Sequence, residues 1–265
     1  MPSFFKDYKA EEVMTLIKKD ALAIIPLAVL EQHSRHLPIS TDLDIAENVV
    51  AEISKRLKDT VPHIVTPAIW TGYVMKSVTD KFPVAATIEL GTLITLLKNL
   101  IESFIAMGFR KIMLINSHGG NVAALPVAMR FIQDKYRDEV RLAAIPLVYS
   151  MADKEFIEKI RKSEIGGICH ACEVETSFML YFNKNVDMGK ASDVDKMKYK
   201  SKYVCGDVYG TGNRVIWSTW DYSDSKSGAL GDPTVATKET GEKLFNHIVE
   251  NCIEFIKEFY YFKKD

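Results

Sequence analysis

The sequence predicts an α/β fold in which helices cover both faces of a mostly parallel central sheet. Short apolar runs alternate along the 265 residues with longer stretches whose apolar residues recur every three or four positions. This alternation is typical of βαβ units, which place their strands side by side in parallel. The sequence contains no internal repeat, low-complexity tract or linker, so we expect residues 1–265 to form a single domain of three layers, α/β/α.

Four apolar runs are predicted to be the buried strands, and six periodic stretches to be the helices. The strands are ALAIIPLAV, HIVTPAIW, KIMLIN and VRLAAIPLV. The helices are residues 11–19, 41–59, 91–110, 122–136, 170–182 and 238–262. Residues 187–232 are rich in Gly, Ser and aromatic residues, which indicates a long loop that closes over a site or contacts a partner.

Composition excludes several classes of function. The formal net charge of −1 and the pI of about 6.6 give no field that would attract nucleic acid or an anionic membrane. The apolar run near the N-terminus is too short to span a bilayer, and the first residues do not resemble a signal peptide. Four cysteines are too few for a disulfide scaffold, so we expect a protein of the reducing cytoplasm.

The first predicted strand ends in a dense group of potential metal ligands. Glu31 and His33 lie two residues apart, so in an extended chain both side chains point to the same side. Asp42 begins the next helix and can fold back over the same edge of the sheet. Parallel sheets place their sites beyond the carboxyl ends of their strands, which is where these residues lie.

Two later segments supply further ligands. His118 leaves the third predicted strand within SHGGN, where two glycines let the backbone pass close to a ligand. His170 and Glu173 are three residues apart in a predicted helix and would share one face. Glu175 is turned by roughly 200° from Glu173, so the two acids are expected to have different roles.

Each of these residues alone has an ordinary explanation. A single Glu or His after a strand is usually a solvated loop residue, and Asp42 alone is more often a helix cap than a ligand. The convergence of three segments on one predicted edge distinguishes this set from His63 and His247, which we expect to be structural. Cys169 and Cys172 form a CxxC without a second close pair, and we interpret both as buried helix residues.

The charge of the predicted ligands favours two metal ions. Glu31, Asp42 and Glu173 carry three negative charges, which two divalent cations and one bridging hydroxide would balance. Mixed imidazole and carboxylate ligands suit zinc or manganese, with iron as a further candidate. Asp42 could bridge the two ions.

Four stretches of the sequence resemble the creatininase (creatinine amidohydrolase) family. They are EQHSRHLPISTD, INSHGGN, HACEVETSFML and GALGDPTVATKETGEKL, spread from residue 31 to residue 244. The resemblance implies a three-layer α/β/α fold, a two-metal hydrolytic centre and a homo-oligomer, commonly a hexamer. It also implies metal ligands at Glu31, His33, Asp42 and His118, and a proton-transfer role for His170.

The sequence differs from the creatinine hydrolases of this family at the site itself. Those enzymes carry Tyr-Glu where this chain has Gly119 and Gly120, and the Glu binds metal. We infer that Glu173 fills this position, as expected of an HGGN-type member rather than a true creatininase. The Trp that precedes the helix His in those enzymes is absent from EIGGICH, and HSRH replaces the commoner HGPH, which places Arg35 near the site.

The predicted function is hydrolysis of a small molecule by a metal-bridging hydroxide that attacks a carbonyl carbon. Cleavage of the C–N bond of a cyclic amide is favoured, with His170 and Glu173 as catalytic groups. Arg35, His36 and Trp217 are the predicted substrate-binding residues. The alternatives are ring opening of a cyclic ketone, such as an oxidised inositol or sugar, or of a lactone, deformylation of a formamide, and a metal-binding regulatory module without activity.

Overall fold

The computed structural model describes residues 4–197, 201–210 and 225–263. Its central sheet contains four parallel strands in the order β2-β1-β3-β4. These strands are β1 (Leu22–Leu27), β2 (His63–Val65), β3 (Lys111–Asn116) and β4 (Arg141–Ile145). Each falls inside a run predicted from the sequence, and β3 coincides with KIMLIN.

Eight α-helices lie in the described part of the chain, and most connect the strands. They are α1 (Ala10–Lys18), α2 (Thr41–Leu57), α3 (Lys76–Lys81), α4 (Leu90–Met107), α5 (Ala124–Tyr136), α6 (Lys154–Ile160), α7 (Glu173–Tyr181) and α8 (Lys238–Tyr261). The predicted three-layer α/β architecture is confirmed, because alternate side chains of the strands enter two cores on the two faces of the sheet. Leu22, Ile24 and Met113 pack in one core with residues of α2, α7 and α8. Ala23, Ile25 and Ile112 pack in the other with residues of α1, α4 and α5.

Helix α4 is long and apolar enough, by length and composition, to cross a membrane. Its buried residues nevertheless recur at helical spacing, at Leu93, Leu97 and Ile101, and they pack against the sheet and α5. Gly108 ends the helix in the left-handed conformation that favours glycine, with φ of 114°. We therefore interpret α4 as a core helix of the sandwich.

The segment around His170 differs from the sequence-based prediction of one continuous helix. Ile168–His170 form β5, which pairs antiparallel with β6 (Leu230–Gly231). Ala171 then has a φ of 47°, outside the conformation of a right-handed helix, and α7 starts only at Glu173. His170 and Glu173 consequently do not share a helix face.

The chain that follows β1 is fixed by three other segments. The N–H groups of Leu30, Glu31 and Gln32 donate to the main-chain carbonyls of Trp70, Ile39 and Val84, respectively. These bonds hold the Glu31–His33 segment beyond the carboxyl end of β1, beside the carboxyl end of β3. The fold thereby brings residues from distant parts of the sequence to one edge of the sheet.

Candidate metal centre

His118 joins the carboxylates of Glu31 and Asp42 into one buried group. Its Nδ1 lies 3.0 Å from Glu31 Oε1 and 2.9 Å from Asp42 Oδ2. Its Nε2 lies 2.9 Å from the main-chain carbonyl oxygen of Tyr73. A carbonyl oxygen can only accept, so Nε2 carries a proton and Nδ1 can present a lone pair to a cation. This arrangement is typical of a metal-binding histidine whose tautomer is fixed by the backbone.

A second group combines His33, Asp42 and Glu175. His33 Nδ1 lies 3.1 Å from the main-chain carbonyl oxygen of Glu31, which leaves Nε2 directed toward the acids. That Nε2 is 3.4 Å from Asp42 Oδ1 but lacks the geometry of a hydrogen bond, and Glu175 Oε2 likewise has no hydrogen-bond partner among the described residues. Buried polar atoms without a partner are costly, and a bound cation would satisfy both.

Asp42 belongs to both groups, which makes the arrangement suitable for two ions. In each group the potential ligand atoms lie within 4.8 Å of one another. The three carboxylates of Glu31, Asp42 and Glu175 are almost fully buried. Two divalent ions and one hydroxide would balance their charge, so the sum predicted with Glu173 holds with Glu175 in its place.

The electrostatics of the metal-free chain show how strongly these groups attract positive charge. Burial lowers the pKa of His118, but the carboxylates of Glu31 and Asp42 outweigh it and hold that pKa well above its usual value. Burial likewise opposes protonation of His33, yet Asp42 raises the pKa of His33 to about 9. Burial raises the pKa of Glu175 to about 7. Binding of a divalent cation would displace such protons.

Glu173, the predicted metal ligand and catalytic residue, lies outside these groups of potential ligands. Its carboxylate accepts hydrogen bonds from the main-chain N–H groups of Lys162 and Ser163, at 2.7 and 2.9 Å. Both oxygens therefore anchor the loop before β5. Glu175, two residues further along α7, lies among the potential ligands with His33 and Asp42. The two acids thus differ in position, and Glu175 is the one placed to hold a metal ion.

His170 lies beside these groups. Its Nδ1 is 3.8 Å from Glu31 Oε1, and its ring centroid is 4.4 Å from that of His33, with the two ring planes tilted by 38°. Its Nε2 is 3.0 Å from the main-chain carbonyl oxygen of Gln32 and 3.2 Å from the Gln32 side-chain amide nitrogen. Gln32 is fixed in turn, because its amide donates to the Gly228 carbonyl and accepts from the Ser34 N–H. The sequence analysis did not single out Gln32.

The glycines of SHGGN have unequal roles. A Cβ at Gly120 would overlap the Tyr73 carbonyl oxygen that holds the His118 ring, whereas a Cβ at Gly119 would meet nothing within 4 Å. Only glycine at position 120 therefore permits the approach of residue 73 to His118. This close contact is the physical reason why a carboxylate cannot come from position 120 in this chain.

The ligand groups open into a cavity of about 420 Å³. Its lining includes Glu31, Asp42, His118, His170 and Glu175. The hydroxyl of Tyr149, a cavity residue that the sequence analysis did not predict, donates to Glu175 Oε1 at 3.3 Å. The position of the cavity over the ligands gives a substrate direct access to the centre.

Of the three predicted substrate-binding residues, Arg35 and His36 lie in the described part of the chain, and neither lines the cavity. Arg35 is exposed and is not among the described residues that line the cavity. His36 is buried and its Nε2 bonds to Thr176 Oγ1 at 2.9 Å, so it packs behind the centre on α7 rather than inside the cavity. Trp217 lies outside the described residues.

Comparison with known proteins connects this geometry with a family. A model of the family described as creatininase (creatinine amidohydrolase) matches residues 6–256. The chain belongs to the creatininase family. The predicted family, fold and class of enzyme, a metal-dependent hydrolase, are confirmed by this match, and the buried ligand groups agree with the predicted need for divalent metal ions.

Several creatininase-family relatives are similar over most of their length. The mycofactocin precursor peptide peptidase of Mycolicibacterium smegmatis is 27% identical over 241 residues, with 89% of this chain and 84% of the relative covered. A 2-amino-5-formylamino-6-ribosylaminopyrimidin-4(3H)-one 5'-monophosphate deformylase of Methanococcus maripaludis is 32% identical over 240 residues, covering 89% and 90%. Creatinine amidohydrolase of Pseudomonas putida is 21% identical, covering 96% and 94%.

Solved creatininase structures share the fold. A creatinine amidohydrolase superposes with a TM-score of 0.79 at 19% identity, with 99% of both chains covered. A manganese form of creatininase gives a TM-score of 0.78 at 19% identity, covering 98% of this chain and 100% of its own. A mutant described as Zn-Zn type gives 0.77 at 19% identity, covering 98% and 99%.

Proposed function

We propose that the protein hydrolyses the carbon–nitrogen bond of an amide at a centre that holds two divalent metal ions, zinc or manganese, with iron as a further candidate. The sharing of Asp42 between two buried ligand groups carries this proposal. Glu31 and His118 would complete the site of one ion, and His33 and Glu175 that of the other. When bound, two such ions supply an activated water and polarise a carbonyl oxygen.

His170 is the residue that we assign to proton transfer. Its Nε2 faces the Gln32 carbonyl, whereas its Nδ1 lies toward the ligand groups and the cavity. With Nε2 bonded to that carbonyl, Nδ1 of the neutral ring can accept a proton and then pass it to a leaving nitrogen above the centre. His170 also forms a group of potential ligands with Glu31 and His33, and the position of its Nδ1 beside the cavity is what supports proton transfer as its role.

The names of the relatives support an amide as substrate. A peptide peptidase, a creatinine amidohydrolase and a deformylase of a formylamino compound all cleave carbon–nitrogen bonds of carbonyl groups. The deformylase substrate carries a phosphate, whereas the described lining of the cavity contains no Lys or Arg to bind one. A small peptide or a neutral amide is therefore the substrate that we favour.

The test combines metal analysis with a substrate screen. The purified protein is expected to bind about two ions per chain and, when metal-loaded, to release amine from some members of a panel of peptides, cyclic amides and formamides. Asp42→Asn should lose metal and activity, whereas Asp44→Asn, which alters a carboxylate bonded to Ser40 in the same helical turn, should retain both. Acid release from lactones or cyclic ketones without amine release would contradict amide hydrolysis, and metal binding without any turnover would favour a binding module.

We further propose that residues 1–265 form one domain of a cytoplasmic homo-oligomer, a hexamer being the assembly expected from the family resemblance. The low cysteine content supports a reducing compartment. The three loops that bond to the Glu31 segment each expose a large apolar side chain, at Ile39, Trp70 and Val84, and this supports a subunit contact there. Light scattering should give a mass several times 29.9 kDa, which Trp70→Ser should reduce.

A further inference from the structure

One part of the cavity wall is apolar and has no role in holding metal. It is formed by Val74, Met75, Val78, Leu147, Val208 and Leu230. Val74 and Val78 pack with Met75 and Leu230 in a small cluster of their own. Leu147 and Val208 pack instead against the large core that contains α2, α7 and α8. The apolar wall therefore consists of two separately supported groups of side chains, which together adjoin the ligand residues.

Part of this wall remains open to a ligand. Met75, Leu147, Val208 and Leu230 are only half-buried, although all four contact hydrophobic clusters. Apolar surface that lies inside a cavity rather than in the core can still be removed from water when a substrate binds. Such burial stabilises a complex in proportion to the apolar area covered.

The charge of the cavity matches an uncharged ligand. Its acidic members, Glu31, Asp42 and Glu175, all belong to the ligand groups, whose charge two divalent ions and a hydroxide balance. The described lining offers no Lys or Arg for an anionic substituent. Among the same described residues, a cationic substituent would find no carboxylate apart from the potential metal ligands. An ionised group on the substrate would thus lose its water without gaining a partner in the described wall.

We infer that this apolar wall is a subsite for an uncharged hydrocarbon group next to the scissile bond, so that the substrate class is neutral amides with an apolar group beside that bond, including peptides whose charged termini lie outside the cavity. This inference rests on the proposed function, since it takes the neighbouring ligand groups as the place of bond cleavage. The cavity volume of about 420 Å³ lies near the lower end of the range for ligand pockets, which suits one or two residues rather than a long chain.

Hydroxamic acids test the subsite without requiring turnover, because they chelate divalent metal ions. An alkyl chain can be attached to either side of their amide-like group, on the carbonyl carbon or on the nitrogen. Calorimetry with metal-loaded protein would compare acetohydroxamic with hexanohydroxamic acid, and acetohydroxamic acid with its N-butyl derivative. Full burial tightens binding about fourfold per methylene, so four methylenes should lower Kd by at least about tenfold in one series. A terminal carboxylate or ammonium group on the longer chain should abolish this gain.

Methionine variants provide matched controls. Met75→Ala should remove most of the gain in Kd on chain extension and leave the Kd of acetohydroxamic acid unchanged. Met14→Ala, in the half-exposed face of α1, should behave as the wild type. Equal affinity along both chain series, tighter binding of a charged chain, or an unaltered gain in Met75→Ala would each overturn the subsite. Failure of acetohydroxamic acid to bind would instead count against the metal centre, so the two failures are distinguishable.

Discussion

The hydroxyl of Tyr149 donates to Glu175 Oε1 at 3.3 Å, and the other oxygen of the same carboxylate is buried without a hydrogen-bond partner in the described part of the chain. Tyr149 is itself held from behind, because the hydroxyl of Tyr209 donates to its main-chain carbonyl at 2.9 Å. The hydroxyl thus fixes one Glu175 oxygen and directs the other toward His33 and Asp42. Removal of a group that orients a metal ligand in this way commonly lowers the affinity for the metal by about tenfold to a hundredfold.

Removal of this hydroxyl should therefore weaken one ion selectively. We expect Tyr149→Phe to lower the affinity for the ion at His33, Asp42 and Glu175 by about tenfold to a hundredfold, and to leave the other ion bound. Competition titration with a chromogenic chelator measures both affinities. Tyr136→Phe removes a hydroxyl bonded to Glu102, away from the centre, and should change neither. Equal weakening of both ions in Tyr149→Phe would contradict a local effect on Glu175.

The two acids of α7 should respond differently to the same chemical change. Glu175→Gln is expected to lose about one ion per chain, because the uncharged amide is a poor ligand. Glu173→Gln should retain both ions but unfold at a lower temperature, because it weakens the bonds from the Lys162 and Ser163 N–H groups. Elemental analysis and thermal unfolding distinguish the two outcomes. Retention of both ions in Glu175→Gln would refute its assignment.

The two glycines after His118 offer an equally matched pair. Gly120→Ala should push the Tyr73 carbonyl from His118 Nε2 and reduce the affinity for the ion that His118 would bind. Gly119→Ala meets open space and should bind metal as the wild type does. Circular dichroism of both variants verifies folding. If the metal affinity fell equally in Gly119→Ala and Gly120→Ala, displacement of the Tyr73 carbonyl would not be the cause of the loss.

Replacement of His170 separates proton transfer from metal binding. We expect His170→Asn to keep two ions and to lower kcat by about 10²–10⁴, the usual contribution of a positioned acid or base. The kcat is measured with an amide found by the substrate screen, and elemental analysis of the same sample gives the number of ions per chain. Loss of an ion would show that His170 is itself a ligand together with Glu31 and His33, since the potential ligand atoms of these three residues also lie within 4.8 Å of one another.

His63 should make the fold sensitive to acid. It is buried, with Nε2 2.8 Å from Ser54 Oγ, and burial lowers its pKa below the usual 6.5. Because the folded chain disfavours the charged form, its contribution to stability is present above pH 6.5 and decreases as the pH falls toward the folded pKa.

The corresponding measurement is denaturant unfolding of metal-free protein at several pH values. Between pH 7 and pH 5, the free energy of unfolding should fall less steeply in His63→Gln than in the wild type. The difference cannot exceed about 1.4 kcal/mol per pH unit, the effect of one proton. Above pH 7 the two slopes should be parallel. Parallel slopes at low pH as well would show that His63 does not contribute to acid sensitivity.

The strands and four of the metal-binding candidates were predictable because short-range patterns encode them. Continuous apolar runs identify β1 and β3, and the rule that sites lie at the carboxyl ends of parallel strands places Glu31, His33 and His118 together. The helix that begins at Thr41 brings Asp42 to the same edge. These positions depend on the period and order of elements, which a sequence displays directly.

The choice between Glu173 and Glu175 was not predictable in the same way. It depends on where α7 begins. Before that start, Ala171 has a positive φ, and β5 pairs with β6, a strand about sixty residues further along the chain. The roles of Tyr73 and Gln32 were not predictable either. The Tyr73 main-chain carbonyl contacts His118 and Gln32 contacts His170, and both contacts join residues that are distant in sequence. Such long-range effects leave little signal in a local pattern.

The bond between the Gln32 amide and the Gly228 carbonyl joins two parts of the chain that are 196 residues apart in sequence. The same amide nitrogen lies beside His170 Nε2. A change that displaces the segment around Gly228 would therefore also release the side chain that contacts His170. The centre can in this way be altered from a distant segment without replacement of any potential metal ligand.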